Sequence, residues 1–413
     1  MEASPAISVR QDTKILGVVS AGHFLSHFYL LTLPPLFFIL KSEFAVSYAA
    51  LGAILTVSFA LSAVAQIPVG FLVDRIGARI VLTTGLVIMA VCIGLIGFAA
   101  TYWQVLILFT IAGIGHSVFH PADYAILTAS IEPSRMGRAF SIHTFSGHLG
   151  SALAPATVIF LATVWNWRAA LFIAGAMGLV ATGVLASQWN SLRDDVVPAK
   201  NTEAETQVSG PGPKDGMALL LSKPILLFFL FFLMTSMTAS GVHAFLVVAL
   251  IELHDMPLAL ASATLTGYLI ASAAGILLGG VFADRTTRHD LQAALAFTVS
   301  ALLILVVAAA SLNLGLMIVV LVLAGLMQGI VRPARDMMVR GASPKGSMGK
   351  VFGFVSAGMA AGSAISPMMF GFVMDLGRPE WVFYLMVIFM VVAIGTVMTP
   401  KEPSGGAAAD RRS

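Results

Sequence analysis

The sequence predicts an all-α membrane protein with twelve transmembrane helices in two pseudo-symmetric six-helix bundles. Three observations carry this. Only 10% of the 413 residues are charged and 58% are hydrophobic, whereas soluble domains carry about 25% charged residues. Apolar runs long enough to cross a bilayer as helices follow one another along the whole chain. One block of sequence also occurs twice, 212 residues apart and in the same frame.

The runs fall at 15–40, 48–72, 78–100, 103–130, 138–162 and 167–189, and then at 223–250, 258–282, 291–312, 314–339, 350–374 and 381–399. Each is long and continuous, unlike the short alternating segments of a strand barrel. The first is too long for a removed signal peptide and lacks its small-residue cleavage site. Between the sixth and seventh runs, residues 190–222 contain Arg193-Asp194-Asp195, Pro198, Glu203, Glu205 and Gly210-Pro211-Gly212-Pro213. That stretch is too polar to bury a core and reads as a flexible cytoplasmic linker. The expected units are therefore a six-helix bundle over 1–189, a linker over 190–222, and a second bundle over 223–413 with a short disordered tail after Thr399.

Lys and Arg set the orientation. With a cytoplasmic N-terminus, 18 of the 23 basic residues fall on the cytoplasmic side. Lys41, Arg168 and Arg378 fall outside, and Arg332 and Arg335 fall within a helix. Both termini are thus expected in the cytoplasm, with the chain in the inner membrane. The net charge of +3 reflects this topology, and no nucleic-acid partner is inferred from it. The single cysteine, Cys92, allows neither an intrachain disulfide nor a thiolate metal site, and reads as a small packing residue.

The first copy of the repeated block reads Gly113, His116, His120-Pro121, Asp123, Met136-Gly137-Arg138, Phe140, Gly150-Ser151-Ala152 and Pro155. The second reads Gly325, Gln328, Arg332-Pro333, Arg335, Met348-Gly349-Lys350, Phe352, Gly362-Ser363-Ala364 and Pro367. The small residues match while the polar ones differ, as expected for two halves facing each other across a polar cavity. A second pair supports the duplication. Gly70-Phe-Leu-Val-Asp74-Arg75-Ile-Gly77-Ala-Arg79 follows the second helix, and Gly280-Val-Phe-Ala-Asp284-Arg285-Thr-Thr287-Arg288 follows the eighth, at an offset of 210.

With these motifs the whole chain resembles the major facilitator superfamily. Two segments resemble its fosmidomycin-resistance-like branch: Leu33-Pro34-Pro35-Leu36 followed by Lys41-Ser-Glu43-Phe, and Gly113-Ile-Gly115-His-Ser-Val-Phe119-His120-Pro121. The resemblance implies a secondary transporter, not an enzyme, that moves a small-molecule substrate by alternating access within the lipid bilayer. It would work as a monomer and without a cofactor. The resemblance also implies that Asp74 and Arg75, with Arg79, latch the two halves on the cytoplasmic side. Asp284 and Arg285 are the weaker copy, because Thr287 replaces the turn glycine Gly77. The first, fourth, seventh and tenth helices would line the cavity. The chain departs from the family's antiporter signature, since Ala154-Pro155 stands where Gly-Pro is usual and Phe109 stands near the usual arginine.

Ionisable residues within spanning helices are costly and mark functional sites by default. His23 and His27 are four apart and share a helix face. His116, His120 and Asp123 occupy offsets 0, 4 and 7, and Gln328, Arg332 and Arg335 occupy the same offsets in the tenth helix. Three readings stand side by side. Arg332 with His23, His27, His116, His120 and Gln328 binds an anionic substrate, because guanidinium pairs well with carboxylate or phosphonate. Asp123 and Arg335, equivalent positions of opposite sign, form a cytoplasmic gate. Or these groups only satisfy one another and fix packing. Histidine can exchange protons near physiological pH, so His27 is the leading proton carrier and Asp123 the runner-up. The branch often has an acidic residue near His27, and this chain has none. His143 and His148, five apart, lie on different faces, so at most one is expected to reach the cavity. His243 is a weaker candidate, and His254 and His289 are placed in loops.

Pro121, Pro155, Pro333 and Pro367 each remove a backbone donor within a spanning helix and are candidate hinges. No nucleotide-phosphate loop is present, which argues against ATP-driven transport. The expected function is proton-coupled transport of a small organic anion across the inner membrane. Efflux of drugs or toxic compounds, and transport of a transition metal or its chelate, remain alternatives. So do a non-transporting membrane sensor and a membrane metalloenzyme. The i, i+4 histidine pairs suit a metal, but without thiolates and with Asp123 as the sole nearby carboxylate no metal site is assigned.

Overall fold

The computed structural model describes residues 9–132, 135–192, 218–343 and 348–399. The middle of the expected linker and the expected tail lie outside the described residues. Among the described residues, twelve helices are long and apolar enough to cross a membrane. The first runs from Val9–Leu30 through a 3-10 turn at Pro34–Leu36 into Phe37–Glu43. The second to sixth are Tyr48–Ile76, Ala78–Ile96, the pair Tyr102–His116 and Phe119–Ser130, Met136–Val164 and Trp167–Ser187. The second half has Lys223–His254, Leu258–Arg285, His289–Ala309, Leu314–Ala342, Met348–Asp375 and Glu380–Met398. His254 ends the seventh helix and His289 begins the ninth, so both are helix-terminal residues and not the loop residues expected.

Polar caps set where several helices begin. Ser47, Asn166 and Asn313 each accept from a backbone N–H three residues on, and Thr101 with Gln104 forms a reciprocal capping box. These side chains take up donors that the first helical turn leaves unpaired. At the other end of the second helix, Gly77 (φ 97°) makes the tight turn into the third, a conformation that favours glycine.

Packing in one half recurs in the other. The first helix packs on the fifth, as the seventh does on the eleventh. The second packs on the fourth as the eighth does on the tenth, and the third on the sixth as the ninth on the twelfth. The glycines of the repeated block produce these contacts. A Cβ at Gly113 would run into Ser58, and one at Gly325 into the Tyr268 carbonyl. Likewise Gly150 abuts the Phe24 backbone and Gly362 the Leu233 carbonyl. Small residues at equivalent sites thus let equivalent helix pairs approach backbone to backbone. Even the neighbouring serines correspond: Ser151 Oγ lies 3.4 Å from His27 Nδ1, and Ser363 Oγ lies 2.7 Å from Ser236 Oγ.

The halves meet along the second and eleventh helices and along the fifth and eighth. The contact is tight where the second helix begins and the eleventh ends. Asp375 accepts hydrogen bonds from the backbone N–H groups of Tyr48 (2.7 Å) and Ala49 (2.8 Å). The Tyr48 hydroxyl donates to Glu252 at 2.8 Å, and Lys41 Nζ sits 3.9 Å above the Tyr48 ring. Lys41, Tyr48, Glu252 and Asp375 border a polar cavity of about 350 Å³. Deeper in, Gly52 lies against the Pro367 carbonyl, and the Ala156 N–H donates to Thr266 Oγ1 at 3.2 Å. At the opposite end, no hydrogen bond or ion pair joins the halves among the described residues. Hydrogen bonds thus fasten the two halves together at the Tyr48 end.

Two outcomes follow from these contacts. Gly325→Val should destabilise the second half by about 1–3 kcal/mol, because the carbonyl it meets is backbone and cannot swing away; thermal unfolding in detergent measures this. Asp375→Ala removes a charged cap contributing about 1 kcal/mol. It should lengthen spin-label distances between the halves at the Tyr48 end, and an unchanged distance distribution would show that the cap does not hold that end shut.

Candidate functional site

The fourth helix determines which polar groups meet. It stops at His116 and restarts at Phe119. Pro121 offers no N–H to the Ser117 carbonyl, while the Ser117 hydroxyl donates back to the Ile114 carbonyl at 2.7 Å. A side chain that bonds its own preceding turn favours a tight turn over continued helix. In the tenth helix the equivalent of Ser117 is Gly329, and the helix passes through Pro333 unbroken. Pro155 and Pro367 also lie inside continuous helices. Of the four expected hinges, only Pro121 coincides with a break.

Beyond the break, Phe119–Ser130 packs against the first helix. Five imidazoles then gather inside the first half. The His23 ring centroid lies 4.0 Å from that of His143, 4.7 Å from His27 and 5.4 Å from His120, and His27 lies 5.7 Å from His116. Gly147 makes room for them, since a Cβ there would sit 2.7 Å from His23 Nε2. Asp123 is fully buried among them, with Oδ2 3.3 Å from both His23 Nδ1 and His143 Nε2.

This arrangement corrects three expectations. In this structure Asp123 and Arg335 do not pair with each other. Asp123 turns into the first half, and Arg335 bonds Asp336 at 2.9 Å and stacks 4.3 Å over the Phe232 ring. The stripe at offsets 0, 4 and 7 presumes one straight helix, and the break ends that geometry. Second, His116 and His120 do not join Arg332. The group that does is His148, whose Nε2 lies 3.4 Å from Arg332 Nη1, across the boundary between the halves. Gln328 turns away and donates to Met390 Sδ at 3.1 Å in the twelfth helix. Third, His143 and His148 do lie on different faces, but both are engaged, one in the imidazole cluster and one at Arg332.

Arg332 is half-buried and makes no ion pair among the described residues. Asp74 and Arg75, expected to latch the halves, are exposed and make no ion pair among the described residues; Asp284 and Arg285 are exposed as well. Arg79 instead donates to the Trp189 carbonyl at 3.1 Å and packs on its ring. Sequence reasoning missed the clamp of Tyr48, Glu252 and Asp375. Each reads as an ordinary helix-end residue, and the local sequence carries no signal that pairs them.

Comparison with known proteins agrees with this architecture. The sequence profile of the Major Facilitator Superfamily matches residues 19–264 and 234–412. The fosmidomycin resistance protein of Escherichia coli is 27% identical over 289 residues, covering 69% of each chain. A probable sulfoacetate transporter of Cupriavidus necator is 26% identical over 40% of this chain and 38% of its own. A bacterial homologue of the human lysosomal transporter Spinster, solved in an inward-facing and unoccupied conformation, superposes with a TM-score of 0.80 at 15% identity, covering 94% of this chain and 97% of the other. With twelve spanning helices, the duplicated packing and a profile match across nearly the whole length, the chain belongs to the Major Facilitator Superfamily and is a multi-pass membrane transporter, not an enzyme.

Proposed function

We propose that the protein carries a small organic anion, a carboxylate, sulfonate or phosphonate, across the bacterial inner membrane, with Arg332 as its anchor. One observation carries this reading: Arg332 sits within the tenth helix with no ion-paired carboxylate among the described residues, and its side chain meets His148 Nε2 at 3.4 Å from the other half. Guanidinium keeps its charge in any protein environment and presents a planar fork suited to such anions. An anion held between the tenth and fifth helices would touch both halves, so its binding would bias their rocking. The sulfoacetate relative, named for a small organic anion, supports this substrate class.

Protons are the coupling ion in this reading. Negative charge arriving between Arg332 and His148 favours protonation of the imidazole, so that anion and proton travel together. His148 is preferred over His27 and Asp123 as carrier because it alone of the three touches Arg332. The distribution of Lys and Arg favours cytoplasmic termini, which would turn the Asp74 end inward. Each chain contains both halves of the site and would function as a monomer.

Arg332→Gln should weaken anion binding about 10- to 100-fold, as expected for losing a charge-assisted hydrogen bond of about 1.5–3 kcal/mol. Arg332→Lys, which keeps the charge but loses the fork, should recover part of it. Thermal-shift titration of the purified protein against carboxylates, sulfonates and phosphonates reads both, and equal affinity in wild type and Arg332→Gln would move the site elsewhere. In proteoliposomes, His148→Ala should retain anion binding yet lose the lumenal pH change that accompanies uptake. A retained pH change would remove His148 as carrier.

A further inference from the structure

We propose that His23, Asp123 and His143 form a binding site for a single divalent transition-metal ion of the zinc class, inside the first six-helix half. The three residues come from the first, fourth and fifth helices and are all buried. One ligand atom from each lies within 4.8 Å of the others. Both His23 Nδ1 and His143 Nε2 stand 3.3 Å from Asp123 Oδ2. Ligands held at about 2.0–2.1 Å around a tetrahedral zinc stand about 3.3 Å from one another.

The same atoms are poorly placed to satisfy each other without an ion. Both Asp123 oxygens, His23 Nδ1 and both ring nitrogens of His143 lack a hydrogen-bond partner, although they are fully enclosed. Buried polar atoms in native proteins are almost always paired, and an unpaired cluster calls for an occupant. The charge balance agrees. Asp123 has no Lys or Arg counter-ion among the described residues, only these two imidazoles. A carboxylate deep in a membrane protein needs a compensating charge, which a bound cation would supply.

The donor set selects the metal class. Two imidazole nitrogens and one carboxylate oxygen suit zinc and its transition-metal neighbours, whereas magnesium and calcium prefer shells of oxygen alone. His27 Nε2 and His120 Nδ1 also lack partners, and their rings adjoin His23. Either histidine or a water can fill a fourth position. The ion would pin Phe119–Ser130 to the first and fifth helices just beyond the break in the fourth. This site does not rest on the anion reading, since Arg332 lies in the other half.

The test uses the full chain in detergent or nanodiscs, stripped with a chelator and titrated with zinc chloride, with magnesium chloride as control. Expected results are one bound zinc per chain by elemental analysis and an X-ray absorption shell of nitrogen and oxygen only at about 2.0–2.1 Å. Asp123→Asn and His143→Ala should each weaken zinc binding at least about tenfold, and Arg332→Gln should not. Absence of stoichiometric zinc, the result if the cluster holds only protons, overturns the proposal. So does sulfur in the shell, equal retention of magnesium, or unchanged zinc affinity in both variants. If the variants do not fold, the wild-type absorption spectrum decides alone, through the presence or absence of imidazole scattering.

Discussion

Close backbone contact at glycine positions underlies the rest of this structure. In lipid, apolar burial between helices supplies little drive, and association depends on shape and short-range packing. Gly113 and Gly150 in the first half, and Gly325 and Gly362 in the second, each let a neighbouring backbone approach to a distance that any Cβ would block. Because the same pairs are formed in both halves, each half is a tightly packed unit. The contacts between halves, through Gly52 and Gly371 against the other half's backbone, are concentrated towards one end. Such a distribution lets two firm bodies rock about their shared surface.

Charged side chains are accommodated in three different ways. Asp375 takes two backbone N–H groups at the start of the second helix, so a helix terminus serves as its counter-charge. Asp123 is enclosed by imidazoles inside one half. Arg332 meets His148 of the other half and makes no ion pair among the described residues. The first arrangement is complete and fastens the halves at one end. The other two are incomplete in charge, and each therefore points to something the protein binds: a cation at Asp123 and an anion at Arg332.

The two positions that look equivalent after duplication have diverged in backbone as well as in side chain. Ser117 and Gly329 precede Pro121 and Pro333 by the same four residues, yet only the fourth helix breaks. A serine hydroxyl that bonds its own preceding turn is the difference visible in the structure. The break carries Asp123 into contact with the first and fifth helices, whereas on the unbroken tenth helix Arg332 meets the other half and Arg335 packs on Phe232 within its own.

The twelve-helix fold was legible in the sequence. Spanning runs, the Lys and Arg distribution and the repeated glycine frame are local or periodic features, and bilayer thickness and close packing convert them directly into helices and helix pairs. The identity of the polar residues that matter was legible too, because ionisable groups in apolar runs stand out. Their partners were not. Helix-offset arithmetic assigned Asp123 to Arg335 and His116 to Arg332, but one turn at Ser117 redirected the first group, and His148 reached Arg332 from the other half. Tyr48, Glu252 and Asp375 meet only because three helices from two halves converge at one end. Sequence by itself determined the helices and their charges. Tertiary structure decided which charges face each other, since that depends on helix rotation, on a single backbone break and on where the two halves are fastened together.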